Sequence, residues 1–101
     1  MTTLSSEERI LTLHPETDKK GVNISREKYD AMRHAILKAL EGKTLTFSEL
    51  EQAVSAQLTG NFDGSISWYM TTVKLDLEAR GEIERVPGSS PQQIRRVLLR
   101  G

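Results

Sequence analysis

At Gly81 the hydrophobic pattern changes period, and that switch limits the folds open to the chain more than any other feature. Before it, apolar residues recur at helical spacing in three separate blocks. After it, Glu82–Val86 alternates as a half-buried strand does, and Pro87-Gly88-Ser89-Ser90-Pro91 is a cluster of turn formers. Gln92–Arg100 is a second extended run. The expected class is α+β, mainly α, with three helices followed by a two-stranded β-hairpin.

Each helical block carries its own start and stop signals. Ser25 is placed to accept a hydrogen bond from a first-turn N–H, and Tyr29, Met32, Ile36 and Leu40 follow at spacings of 3, 4 and 4. With Gly42 as the stop, this predicts a helix over Arg26–Glu41. Thr46 and Glu49 form a capping box, and Leu45 and Leu50 occupy the positions of a hydrophobic staple. Phe47, Leu50, Val54 and Leu58 make the stripe of this second helix, which Gly60, Asn61, Asp63 and Gly64 end. Ser65 caps the third, whose stripe is Ile66, Tyr69, Val73 and Leu77. A weaker stripe of Trp68, Thr72, Leu75 and Ala79 lies on its other flank, so both flanks are expected to be covered, one by the bundle and one by the hairpin. Ser67, Thr71, Lys74 and Glu78 form the polar face.

Two segments are harder to place. Val97, Leu98 and Leu99 follow one another, and alternation over one wet face cannot hide all three. Residues 1–24 hold either a short helix capped by Ser5 and Glu8 or an extended run over Ile10–Leu13, ending where Pro15 disfavours helix at His14. An arm whose apolar residues cover the last strand satisfies both segments.

Composition narrows the function classes. The 101 residues suit one domain, and 14 basic against 14 acidic side chains exclude a protein that coats nucleic acid by net charge. The positive excess sits in residues 66–101 (Lys74, Arg80, Arg85, Arg95, Arg96 and Arg100, against four acids). No cysteine means no disulfide framework and no thiolate chemistry. No apolar run is long enough to span a membrane, and Met1–Leu13 has no signal-peptide pattern, so a soluble, cytoplasmic protein is expected.

The order of helix, short turn, capped helix, loop, helix and hairpin resembles a winged helix-turn-helix, with Pro87–Pro91 at the wing tip. The likeness covers about Arg26–Arg100. It implies a three-helix winged-helix domain over 25–101, with a C-terminal two-stranded wing and an N-terminal arm over 1–24. A narrower resemblance runs through Leu13-His14-Pro15, Lys20-Gly21-Val22-Asn23-Ile24, Lys28-Tyr29-Asp30 and the stretch from Trp68-Tyr69 to Gly81. These are similar to a small bacterial family of unknown function, which implies the fold and a bacterial origin but no activity.

On this fold the third helix is expected to enter the major groove of double-stranded DNA, as in a transcriptional regulator. Ser67, Thr71 and Lys74 would face bases or phosphates, with Thr72 and Trp68 at the rim. Arg85, Arg95, Arg96 and Arg100 suit phosphate contacts, which position a protein without reading sequence. A homodimer is expected, sealed by the apolar surplus at Ile10–Leu13 and Val97–Leu99. Against DNA stand Asp76 and Glu78, which repel phosphate, and the absence of Arg, Asn or Gln from the polar face. The rival reading is a winged helix used for protein contact alone.

Trp68 is expected to be buried, the alternative being a surface anchor for a partner. His14 reads as a turn residue and His34 as a helix-surface residue beside Arg33, and neither has metal-ligand spacing. There is no phosphate-cradling glycine loop and no nucleophile elbow, so neither an enzyme nor a cofactor is expected.

Overall fold

A computed structural model describes residues 8–16 and 18–97. The elements run β1 (Arg9–Leu11), β2 (Asn23–Ser25), α1 (Arg26–Ala39), β3 (Thr44–Thr46), α2 (Phe47–Leu58), α3 (Ile66–Ala79), β4 (Ile83–Arg85) and β5 (Gln93–Arg96). The result is a small α+β domain of three helices and two sheets. Among the described residues no helix is long and apolar enough to cross a membrane.

The helices begin where their caps sit. Ser25 accepts from the Lys28 N–H, Ser65 accepts from the Trp68 N–H, and Thr46 and Glu49 close a full capping box. The end of α3 is a Schellman motif: the Glu82 N–H donates to the Leu77 carbonyl at 2.9 Å, and the Gly81 N–H to that of Glu78 at 3.1 Å. Gly81 stands at φ 79°, a conformation that costs a residue with a Cβ but not glycine, which is why the period changes there.

The three stripes meet in one core. Tyr29, Met32, Ile36 and Leu40 of the first stripe are all buried, against Leu50 and Val54 of α2 and Val73 and Leu77 of α3. Met70, which lies on neither stripe of α3, is fully buried with them. The hairpin closes the bundle through Ile83 and Ile94.

The hairpin forms, with β4 antiparallel to β5 and Glu84 opposite Arg95. A third strand, β3, pairs with the other edge of β5, with Leu45 opposite Ile94, so the sheet order is β3-β5-β4. Among the described residues the arm does not cover the last strand as expected. Arg9–Leu11 pairs instead with Asn23–Ser25, placing Ile10 opposite the buried Ile24 on the core side. Backbone pairing within the arm satisfies its own N–H and C=O groups, and the edge of β5 is already taken by β3. Leu98 and Leu99 lie outside the described residues, while Val97 donates to the Glu82 carbonyl at 3.0 Å.

Candidate functional site

The two flanks of α3 exchange the roles expected of them. On the face read as polar, Ser67 and Thr71 are exposed, but Lys74 and Glu78 are not. The Lys74 ammonium is 2.7 Å from the Glu78 carboxylate, with side chains only 10% and 7% exposed. It also lies 5.8 Å from the centre of the Phe47 ring. A charge this buried is tolerable only when paired, and the helical spacing of four supplies the partner. Arg85 reaches the same carboxylate at 3.2 Å from the end of β4. One acid therefore holds two of the cations expected to meet phosphate.

The remaining arginines do not converge on α3. Arg95 pairs with Glu84 at 2.6 Å across the β4–β5 ladder. Arg96 leans over α1, in a hollow it shares with Arg33, His34 and Lys38, and a second hollow beside it includes Lys43. Arg33 is bonded to Glu82, whereas Lys38, Lys43 and Arg96 are in no ion pair among the described residues. Arg100 lies outside the described residues.

Asp76, read from sequence as an acid near the groove, is buried and faces no solvent. Its carboxylate accepts from the Leu13 N–H at 2.8 Å, from the Arg80 Nε at 2.8 Å and from the Tyr29 hydroxyl. Burial first, and then this hydrogen bond to an anion, push the Tyr29 phenol up to about 12. Arg80 is held charged above its usual range by its bond to Asp76. These bonds join the arm, α1 and the end of α3 at one carboxylate, which balances its charge and leaves no unpartnered buried atom.

The flank expected to be covered is open. Trp68 is 48% exposed, not buried, and stands edge-on to Tyr69 with ring centres 4.9 Å apart. Phe62 meets Tyr69 the same way at 5.2 Å. These contacts orient the indole without enclosing it. Further along the stripe, Thr72 and Leu75 line a small hollow with Leu13 and Val22 of the arm, and Ala79 borders a larger one of about 690 Å³ with Leu11, Leu13 and Pro15. Leu11, Leu13, Val22 and Trp68 are the four exposed large hydrophobic side chains among the described residues; the first three line these hollows, and Trp68 stands at the head of the same α3 stripe as Thr72, Leu75 and Ala79. Lys19 and Lys20 stand at its rim.

His14 is a turn residue, its Nδ1 accepting from the Glu16 N–H at 3.1 Å, and His34 is exposed on α1. Among the described residues no group of three His, Cys, Asp or Glu side chains is placed to hold a metal ion. The sequence reading missed β3, the arm hairpin and the part played by Asp76. The alternation of Thr44-Leu45-Thr46 is the one local signal for β3, and none marks Asp76 as buried.

Residues 9–94 match a family of unknown function, DUF6958. Neither a curated protein nor a solved structure matches the chain.

Proposed function

The chain belongs to the DUF6958 family of unknown function, and we propose that it is a winged-helix module that works by protein contact, through the flank of α3 that Trp68 shares with the arm. The helix pair followed by a trailing hairpin supports the winged-helix part of this reading. One observation carries the contact part: three of the four exposed large hydrophobic side chains, Leu11, Leu13 and Val22, line hollows against the α3 stripe that Trp68, the fourth, begins. Exposed apolar side chains scattered singly need no explanation, but a contiguous patch is a common mark of an interface. Withdrawal of Lys74 and Arg85 onto Glu78 supports the same reading, since it removes charge from the surface a DNA-reading helix would use.

A second reading keeps double-stranded DNA, at a different surface. Arg33, Arg95, Arg96, Lys38 and Lys43 outnumber Asp30 and Glu41 in the adjoining hollows between α1 and the wing, and such a surplus suits phosphate.

Titration of a labelled random duplex at low salt, followed by anisotropy, separates the two. Protein contact predicts no shift at tens of micromolar, a range in which non-specific binders already respond. A shift abolished by Lys74→Ala or Arg85→Ala would overturn the contact reading. One abolished by Lys38→Glu with Arg96→Glu would establish the second.

A further inference from the structure

We infer that the occupant of the Trp68 flank is a second copy of this chain, with the two α3 helices antiparallel about a twofold axis and each Trp68 seated in the other copy's hollow beside Ala79. This rests on the protein-contact reading and names its partner.

The shape of the flank selects that arrangement. Trp68 projects at the N-terminal end of the stripe, and the hollow of about 690 Å³ lies at the other end, beside Ala79. Trp68 and Ala79 are eleven positions apart, roughly 16 Å along the axis. A twofold interface requires one surface to complement itself, so that a feature at one end meets a different feature at the other. Running the helices in opposite directions brings each projecting indole over the other's hollow. A parallel arrangement would set indole against indole and hollow against hollow.

Charge points the same way. Asp63 lies just ahead of α3 at the Trp68 end, whereas Glu16, Lys19 and Lys20 rim the hollow, and the pairing of Glu16 with Lys19 leaves Lys20 as its net charge. Neither Asp63 nor Lys20 is in an ion pair among the described residues. The antiparallel arrangement carries Asp63 towards the partner's Lys20, and the parallel one opposes like charges. The four exposed side chains make an apolar patch on the order of a few hundred Å², a size that is often functional. Thr72, Leu75, Ala79 and the lysine stems add to it, and the polar rim supplies the rest of the ~800 Å² per partner of a standard interface.

Sedimentation equilibrium of the full chain from about 1 to 300 µM, with Trp68→Ala and Leu11→Glu, tests the inference. Both positions are exposed, so at concentrations where the wild type is monomeric the variants should keep its unfolding midpoint to within a few degrees. The wild type should dimerise, and each variant should weaken the dimer by ~30-fold or more. Mixing the two variants should give a heterodimer tighter than either homodimer. It combines the intact indole of one chain with the intact hollow of the other.

A wild type that stays monomeric at 300 µM overturns self-pairing but leaves the contact reading to its own duplex test. A dimer that both variants leave intact overturns self-pairing and the assigned face together. A dimer that both variants weaken but mixing does not restore overturns the antiparallel arrangement.

Discussion

The backbone N–H of Leu13 donates to Asp76 at 2.8 Å, so a residue near the start of the chain is tied to the last turn of α3. The same carboxylate takes Tyr29 and Arg80. Removing it would leave a buried phenol, a guanidinium and a backbone N–H without their acceptor. Asp76→Ala should therefore destabilise the domain by about 3–5 kcal/mol, as breaking a buried pair generally does. Asp76→Asn keeps one acceptor oxygen and should cost less. Urea unfolding measures both, and amide exchange at Leu13 should quicken in each variant.

The alkaline limb of stability should depend on Tyr29. Its phenol titrates at about 12 in the folded chain against 10.0 ordinarily, so folding favours the protonated form. The sign is that of a raised pKa: the contribution is complete below pH 10.0 and is lost as pH climbs through about 12. A shift of this size corresponds to at most roughly 3 kcal/mol. Tyr29→Phe should be less stable at neutral pH and should show a flatter loss above pH 10.0. An equally steep alkaline loss in the variant would place the titrating group elsewhere.

Local chemistry is readable in this sequence, and the choice of which face stays wet is not. Ser25, Thr46 with Glu49, and Ser65 act within three residues of themselves, so their caps follow from spacing alone. The stripe through Tyr29, Met32, Ile36 and Leu40 is buried because periodicity leaves it one inward side. The covering of α3 depends instead on where a distant arm lands. The arm docks on Asp76 and leaves Leu11 and Leu13 outward, so the Trp68 flank stays open while the Lys74 face is closed by Phe47 and Arg85. An aspartate within a helix and a three-residue strand at Thr44–Thr46 carry too little local pattern to announce either outcome.

Lys74 and Glu78 should respond unequally to substitution. Glu78 holds two cations, so Glu78→Gln would leave the buried Lys74 ammonium without an anion. A loss of about 2–4 kcal/mol is expected. Lys74→Met keeps the length and apolar contact with Phe47, while Arg85 still neutralises Glu78. It should cost less than about 1 kcal/mol, because an apolar replacement of similar volume avoids the desolvation penalty. Denaturation midpoints of the two variants decide the matter, and a Lys74→Met variant as damaged as Glu78→Gln would refute the assigned asymmetry.

The arm itself hinges on a glycine that has no room for a side chain. A Cβ on Gly21 would stand 1.8 Å from the Thr12 carbonyl oxygen and 2.4 Å from its carbonyl carbon, both backbone atoms that no rotamer change can move. Thr12 is bonded three ways to Val22: its N–H donates to the Val22 carbonyl at 2.8 Å, its hydroxyl donates to the same oxygen at 3.1 Å, and that hydroxyl accepts from the Val22 N–H at 2.8 Å. Gly21→Ala must therefore push the strands apart or undo this pairing. Overpacking of this kind costs typically about 1–3 kcal/mol. The damage should be local, since the helical core lies apart from the turn: exchange at Thr12, Leu13 and Val22 should rise well before that at Met32 or Val73. Uniform acceleration across the chain would instead mean that the arm is integral to the cooperative unit.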